Sequence, residues 1–240
     1  MTRIAHISDT HLSGTVDRRA RLIGALSQAK RFGADHLLLT GDLTGHGKLS
    51  EFHELRNVLA ENWSGTSTIV PGNHDGSGTG FGHVFGSLSP PFVLNGEALI
   101  VPLDTRVKRR GLLFHALGKV GKLQLQMCDW LTRNVELPTL FVMHHGPQNH
   151  AIQFLEGLID RAAIHRLLAR SSKIHVCCGH DHRVMDIGTQ IHTAASCALH
   201  PEPLRLYDVG VGSFDLTYRS AITGSVGFAG PPGPPVLTLR

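Results

Sequence analysis

HLLLTGD, at residues 36–42, is an uninterrupted apolar run that stops at a polar step. A run of this length without polar alternation is typical of a strand that is buried on both faces. The same arrangement occurs four more times in the chain, at residues 2–8, 67–70, 139–143 and 173–178. Each of these predicted strands is followed within three residues by Asp, Asn or His, so the pattern concerns function as well as fold.

Helical patterns separate the predicted strands through the first part of the chain. Asp17 can cap a helix that Gly33 stops, and Ser50 starts a second amphipathic helix. Two more helices are predicted around residues 122–134 and 160–170. Because strands alternate with helices, the sequence predicts an α/β protein in which helices are layered on a sheet.

The pattern changes beyond residue 184, where short strand signals follow one another without clear helices. A second, more antiparallel sheet packed against the first would account for this change. The glycine-rich residues 76–86 are predicted to form a surface loop, and GFAGPPGPP at 227–235 can form neither a helix nor a central strand. We therefore expect one domain at residues 1–226 and a Pro/Gly-rich tail at residues 227–240.

The composition of the 240 residues is that of a globular protein, with 41% hydrophobic residues and apolar runs too short to span a membrane. The N-terminus lacks the apolar segment of a signal peptide, and the four cysteines lack metal-ligand spacing. A cytoplasmic protein with reduced thiols is therefore expected. The formal charge of +4 fits an anionic substrate, although a solvated surface would give the same value. The unusual count is 17 histidines, which directs attention to metal ligands.

Seven side chains near the strand ends could bind metal ions. In the pairs Asp9/His11 and His180/His182 the residues are two apart, so both members of a pair point to one face of an extended segment. Loops at the carboxyl ends of neighbouring strands converge, which would bring in donors from other strands. Mixed oxygen and nitrogen donors without thiolate suit Mn, Fe, Zn, Co or Mg ions. The candidate ligands are Asp9, His11, Asp42, Asn73, His144, His180 and His182.

Each of these motifs taken alone has an ordinary structural explanation. Asp-x-His is more often a turn beside a surface histidine, Gly-Asp is usually a turn or a helix cap, and Asn-His-Asp is a common turn sequence. The metal-site interpretation rests on all five motifs occurring in one chain, each at the end of a predicted strand. Coincidence explains that combination poorly.

This ordered series resembles the calcineurin-like metallophosphoesterases. The motifs are Asp9-Thr10-His11, Gly41-Asp42, Gly72-Asn73-His74-Asp75, His144-His145 and Gly179-His180-Asp181-His182. The resemblance implies a four-layer α/β/β/α sandwich of two mixed sheets flanked by helices, with two divalent metal ions per chain. It also implies that one ion is held by Asp9, His11 and His182, that the other is held by Asn73, His144 and His180, and that Asp42 bridges them.

Within that family the chain most resembles the small bacterial class III cyclic-nucleotide phosphodiesterases. The shared features are Leu103-Asp104-Thr105, the helical pattern at residues 124–131, and a histidine pair ahead of a proline. Two departures leave the metal ligands intact and concern the substrate. His144-His145-Gly146-Pro147 stands where two prolines are common, and the stretch at residues 106–121 is unusually basic.

The resemblance and the chemistry of phosphate esters together suggest further roles. Two cations about 3.5–4 Å apart would neutralise phosphoryl oxygens and lower the pKa of a shared water, giving a hydroxide that attacks phosphorus. His74 would contact the reacting phosphoryl group or the leaving oxygen, and Asp75 would orient His74 or cap the turn. Arg183, His145 and His46 are weaker candidates for substrate contacts, with a surface or core role as the alternative for each.

The predicted function is hydrolysis of small phosphodiesters, with 3',5'-cyclic nucleotides as a candidate class and His74 and Asp42 as catalytic residues. A phosphomonoesterase or a lipid-nucleotide pyrophosphatase would use the same metal site, and both remain alternatives. A nuclease is disfavoured because the chain has no added domain and no strong basic groove signal. A non-catalytic binding protein is disfavoured because none of the seven ligands is missing. The sequence leaves a homo-oligomer and the identity of the metals open.

Overall fold

The computed structural model describes residues 1–76, 79–107, 116–149, 156–201 and 203–219. The predicted tail at residues 227–240 lies outside these ranges, as do residues 108–115 of the basic stretch. The predicted domain end at residue 226 therefore stays a prediction. None of the helices within the described ranges combines the length and the apolar character that crossing a bilayer requires.

Strands and helices alternate through most of the chain. In chain order the elements are β1 (Thr2–Ile7), α1 (Val16–Arg31), β2 (His36–Thr40), α2 (Leu49–Asn62), β3 (Thr66–Val70), α3 (Gly80–Phe85), β4 (Phe92–Leu94), β5 (Ala98–Pro102), α4 (Lys122–Asn134), β6 (Thr139–Val142), α5 (Arg161–Leu168), β7 (Ile174–Cys178), β8 (Met185–Ile187), β9 (Ile191–Thr193), β10 (Arg205–Gly210) and β11 (Ser213–Arg219). The strands predicted at the five apolar runs are confirmed.

Two mixed sheets form the centre of the structure. The first has the strand order β11-β10-β1-β2-β3, in which β1, β2 and β3 pair in parallel and β10 pairs antiparallel with both β1 and β11. The second has the order β4-β5-β6-β7-β9-β8, with parallel pairing from β5 to β9 and an antiparallel strand at each edge. The central strands of each sheet are thus parallel, and their carboxyl ends lie together on one side of the sheet.

Three apolar layers hold the sheets and helices together, and β2 shows how the chain builds them. Leu37 and Leu39 pack with Phe52 of α2 on the outer face of the first sheet. Leu38 points the opposite way and packs with Leu140 of β6 in the layer between the two sheets. Residues of α4 and α5 cover the outer face of the second sheet. The result is the four-layer α/β/β/α sandwich that the resemblance implied.

The loop at residues 76–86 and the starts of two helices were predicted wrongly. Residues 76–86 are not only a loop, because Gly80–Phe85 forms the short helix α3. Phe81 of this helix is buried, and the aromatic side chain anchors a segment whose glycines favoured a loop. At the start of α1, Thr15 and not Asp17 is the N-cap residue, and Asp17 lies in the first turn. The helix α2 begins at Leu49 with Lys48 as its N-cap residue, and not at Ser50.

The strands beyond residue 184 do not form a sheet of their own, contrary to the prediction. β8 and β9 extend the second sheet beside β7, whereas β10 returns to the first sheet, where Tyr207 pairs with Ile4 of β1. The strands β4 and β5 were not predicted. Short strand signals show that a strand exists, but its partner is chosen by packing against residues distant in sequence. All four cysteines are buried and free, as expected for reduced thiols.

Candidate metal centre

The carboxyl ends of strands from both sheets meet where the predicted ligands lie. The backbone there is unusual, because five of the six non-glycine residues with positive φ in the described ranges are predicted ligands. Their φ angles lie between 42° and 74°, and they are Asp9, His11, Asp42, His180 and His182. Left-handed backbone is unfavourable for residues with a side chain, and it concentrates at functional sites.

Asp9, His11, Asp42 and His182 form the first ligand cluster, and one candidate ligand atom from each lies within 4.8 Å of the others. Nε2 of His182 lies 3.2 Å from Oδ1 of Asp9 and 3.3 Å from Nε2 of His11. Oδ1 of Asp9 is buried, and its described neighbours are the Nε2 atoms of His182 at 3.2 Å and of His11 at 3.9 Å. A buried carboxylate oxygen beside two imidazole nitrogens is a donor set that fits a cation.

Asn73, His144 and His180 form the second ligand cluster, on the other side of Asp42. Nε2 of His144 lies 3.0 Å from Oδ1 of Asn73 and 3.4 Å from Oδ2 of Asp42. The ring centroids of His144 and His180 are 5.1 Å apart. The same Oδ2 atom of Asp42 lies 3.8 Å from Nε2 of His11 in the first cluster. One carboxylate oxygen therefore faces both clusters.

Main-chain carbonyls orient both histidines of the second cluster. Nδ1 of His144 donates to the carbonyl of Thr40 at 2.8 Å, and Nε2 of His180 donates to the carbonyl of Glu156 at 2.9 Å. In a neutral imidazole the opposite nitrogen then carries the lone pair, so the atoms that could bind an ion are Nε2 of His144 and Nδ1 of His180. Hydrogen bonds of this kind orient metal-binding histidines in proteins.

Burial and neighbouring charges shift the pKa values of the cluster members in different directions. Burial alone would lower the pKa of His144, but Asp42 and Asp9 raise it to about 10. Burial lowers the pKa of His11 and of His180 to about 4, so both imidazoles are neutral near pH 7. Burial opposes ionisation of Asp42, but His144 and His11 hold its pKa well below the usual range. The carboxylates that draw a proton onto His144 would equally attract a divalent cation.

His74 follows the predicted ligand Asn73, and its side chain lies beside Asp42. Its backbone N–H donates to Oδ1 of Asp42 at 2.8 Å, and its ring Nδ1 donates to the carbonyl of Gly45 at 3.2 Å. Nε2 of His74 lies 4.0 Å from Oδ2 of Asp42, and 44% of the side chain is exposed. Because Nδ1 is engaged by the carbonyl of Gly45, Nε2 is the ring nitrogen that could transfer a proton. It lies beside the Asp42 carboxylate in a side chain that solvent can reach.

Asp75 joins two of the ligand loops. Its buried carboxylate accepts hydrogen bonds from the backbone N–H groups of Gly72, Leu43 and Thr44, and from the hydroxyl of Thr44. These bonds cap the turn after β3 and connect it to the loop after β2, which agrees with the second of the two predicted roles. Burial and the nearby Asp42 raise the pKa of Asp75 to about 6.

Two motif glycines allow the loops to approach this closely. Gly41 has φ +86°, and a Cβ atom there would lie 2.6 Å from the His144 ring. A Cβ atom on Gly179 would overlap the side chains of Ser8 and Asp9. The glycines beside the ligands are thus required by the geometry of the centre.

A cavity of about 780 Å³ opens onto the two clusters. The residues of the candidate metal centre that line this cavity are Asp42, Asn73, His74, His180 and His182. Its remaining walls carry polar and apolar side chains, among them Gln148, Asn149, Asp181, Arg183, Met185 and Ile187. Cavities of this size hold small organic ligands, so a phosphate group alone would leave most of it unfilled.

Comparison with known proteins identifies the family. The model of the calcineurin-like phosphoesterase family matches residues 2–184, which is most of the chain and includes all seven predicted ligands. The chain belongs to the calcineurin-like phosphoesterases. It is therefore a hydrolase, and the family's dependence on two metal ions agrees with the two ligand clusters.

Two curated relatives of this phosphoesterase share the name "probable cyclic nucleotide phosphodiesterase". The one from Vesicomyosocius okutanii subsp. Calyptogena okutanii is 26% identical over 200 residues, which cover 81% of this chain and 83% of the relative. The one from Synechococcus sp. is 27% identical over 215 residues, which cover 81% of this chain and 78% of the relative. The match thus extends over most of all three chains.

Solved structures show how widely the fold is used. A dimetal phosphatase from Danio rerio matches with a TM-score of 0.70 at 14% identity, covering 86% of this chain and 92% of that one. GAP50, the anchor in the inner membrane complex of Plasmodium, matches with a TM-score of 0.63 at 13% identity, covering 100% and 89%. One is described as a phosphatase and the other as an anchor, so these likenesses concern the fold alone.

The three residues predicted to contact the substrate of this phosphoesterase lie in different surroundings. Arg183 is exposed and lines the cavity. His145 is buried, and one of its ring nitrogens lies within 4.8 Å of ring nitrogens of His144 and His180, so it could itself be a ligand. Its Nδ1 lies 2.8 Å from the hydroxyl of Thr105. His46 is not among the described residues that line the cavity, and its Nδ1 pairs with Glu51 of α2 at 2.8 Å. The structure thus brings Arg183 and His145 to the site but not His46.

Sequence reasoning missed the residues that shape the cavity away from the ligands. These include Gln148, Asn149, His165, Met185 and Ile187. The segment VMDI was predicted as a strand, but a strand signal does not reveal what its exposed face contacts. The carbonyls of Thr40 and Glu156 could not be predicted either, because every residue has such a group.

Proposed function

We propose that this phosphoesterase hydrolyses small phosphodiesters, with 3',5'-cyclic nucleotides as the natural class. The charge of the cavity carries the proposal. Among the described residues that line it, Arg183 is the only lysine or arginine, whereas Asp181 and Glu156 are acidic. A monoester is nearly a dianion near neutral pH, and a diester is a monoanion. Walls with more acidic than basic groups favour the diester, because they add little positive charge to that of the metal ions.

The proposed centre holds two divalent ions between the two clusters. Its ligands are Asp9, His11 and His182 for one ion, Asn73, His144 and His180 for the other, and Asp42 for both. The shared position of Asp42 Oδ2, the buried Oδ1 of Asp9 beside His182 and the orientation of His144 and His180 support this assignment. When bound, such ions neutralise phosphoryl oxygens and lower the pKa of a water molecule. The donor set suits Mn, Fe, Zn, Co or Mg.

His74 is proposed to give a proton to the leaving oxygen. In hydrolysis a water oxygen bonds to phosphorus while the bond from phosphorus to the leaving oxygen breaks, so that oxygen needs a proton. The carbonyl of Gly45 engages Nδ1, which leaves Nε2 as the atom that can hold and transfer it. General acid catalysis of this kind contributes roughly 10²–10⁴-fold to the rate.

The names of the two curated relatives support the cyclic-nucleotide class. The fold likeness to a dimetal phosphatase, at 14% identity, does not bear on the choice between monoesters and diesters. The choice therefore depends on the cavity, where a phosphomonoesterase or a lipid-nucleotide pyrophosphatase would need more cationic groups to bind a more highly charged substrate.

A substrate panel tests the proposal. The metal-reconstituted protein is assayed at one pH and one metal concentration with bis-p-nitrophenyl phosphate, adenosine 3',5'-cyclic phosphate and p-nitrophenyl phosphate. We expect kcat/KM to be higher for a diester than for the monoester. An Asp42→Ala preparation controls for contaminating phosphatases. A clear preference for the monoester would overturn the proposal and make Arg183 the first candidate for the extra charge.

A further inference from the structure

Part of the cavity wall is formed by β8, a strand of three residues at the edge of the second sheet. Successive side chains of a strand point to opposite faces. Met185 and Ile187 line the cavity, and 39% of Ile187 is exposed. Asp186, between them, points to the interior of the sandwich. The strand therefore presents two apolar side chains side by side to the same space that the ligand clusters open onto.

A buried arginine holds this short edge strand in place. Nη1 of Arg205 donates to the main-chain carbonyl of Met185 at 3.0 Å and to that of Thr193 at 2.7 Å. Nη2 of Arg205 donates to Oδ1 of Asp186 at 2.5 Å, and Nδ1 of His192 contacts the same oxygen at 2.8 Å. Arg205 is completely buried, and both of its terminal nitrogens are paired with groups of β8 and β9, although Nε has no hydrogen-bond partner among the described residues. The bonds of Arg205 thus hold β8 in position, because pairing with β9 over three residues would hold it only weakly.

We propose that Met185 and Ile187 form an apolar shelf that binds the base of a nucleotide substrate while its phosphate lies at the metal centre. This inference rests on the proposed function and names the part of the substrate that the metal ions do not reach. A flat aromatic ring suits the shelf, because methionine sulfur and branched aliphatic carbons pack well against such rings. The cavity volume of about 780 Å³ leaves room for both parts of one molecule.

The surroundings of the shelf favour a heterocyclic base over an alkyl chain. Several of the described residues that line the cavity near the shelf are polar. The amide side chains of Gln148 and Asn149 also line the cavity, and an amide can donate to or accept from the polar edge of a base.

The test uses two substrates with the same leaving group. Thymidine 5'-(p-nitrophenyl phosphate) carries a nucleoside, and methyl p-nitrophenyl phosphate carries a methyl group in its place. In the double variant Met185→Ala/Ile187→Ala we expect KM for the nucleoside substrate to rise roughly tenfold with kcat unchanged. KM for the methyl substrate should not change. Val93→Ala is the matched control, because Val93 is 50% exposed on β4, at the other edge of the same sheet.

A binding measurement separates failure of the shelf from failure of the proposed function. Calorimetry on the metal-reconstituted proteins compares adenosine 5'-monophosphate with inorganic phosphate. The double variant should bind the nucleotide roughly tenfold more weakly and phosphate as before. If both ligands and both substrates change equally, or none changes, the shelf is refuted. If the expected binding difference appears in a protein that hydrolyses neither diester, the shelf stands and the proposed function fails.

Discussion

The two ligand clusters share Asp42 but differ in how firmly the protein holds their histidines. In the second cluster, His144 and His180 each bond to a main-chain carbonyl through one ring nitrogen. In the first cluster, the contacts of the His11 and His182 rings run through Nε2, to each other and to Asp9 and Asp42, and not to a main-chain carbonyl of the described residues. The His182 side chain is also 37% exposed, whereas that of His144 is fully buried.

In such a centre, the protein itself can orient the histidines of one cluster, while the histidines of the other cluster are oriented mainly by binding the ion. Ligands that are already oriented lose less conformational freedom when they bind. Outer hydrogen bonds to metal ligands are worth about 10–100-fold in affinity. The second cluster should therefore be the tighter site, and three predictions examine that contrast.

The largest effect is expected for Asp42→Ala, because Asp42 belongs to both clusters. Without it, neither cluster should bind its ion, so no difference in metal affinity would remain. Both ions should be lost, and kcat/KM should fall by at least ~10³-fold. Elemental analysis and kinetics on the purified variant measure this, with Asp17→Ala as the control because Asp17 is an exposed aspartate of α1. A variant that keeps two metal ions per chain would sink the shared-ligand assignment.

A smaller effect is expected for His74→Ala, because His74 belongs to neither cluster. Metal content should stay at two ions per chain while kcat falls roughly 10²-fold. The loss should be smaller for a p-nitrophenolate leaving group, which needs no proton, than for an alkoxide. Equal losses for both leaving groups would indicate that His74 stabilises charge on the phosphoryl oxygens and does not act as an acid.

The smallest effect compares the clusters directly. Titration of the metal-free protein with Mn(II), followed by calorimetry or paramagnetic resonance, should show two steps separated by about tenfold in affinity. His180→Ala should remove the tighter step, and His182→Ala should remove the weaker one. The prediction that the second cluster binds more tightly is wrong if His180→Ala removes the weaker step and His182→Ala the tighter one. It is also wrong if each variant weakens both steps equally.

The sequence could predict the parts of the site that depend on local signals. Asp42 and His144 directly follow apolar runs, and parallel strands bring their ends together, so a cluster of ligands was predictable from position alone. The partners of His144 and His180 are backbone carbonyls, which no residue type marks. The pairing of β10 with β1 and of β8 with β9 depends on contacts far apart in sequence, so neither the sheet order nor the wall formed by Met185 and Ile187 could be predicted.

The first cluster joins residues that are far apart in sequence, which has a consequence for the unfolded protein. His11 and His182 are 171 residues apart in sequence, and their Nε2 atoms lie 3.3 Å apart in the fold. An ion bound by both would act as a cross-link that closes a loop of that length. Closing a long loop removes more chain entropy than closing a short one, although the cost grows only slowly with length. A weakly held ion at this position would therefore tie the first strand to a loop near the end of the sandwich, much as a disulfide does in a secreted protein.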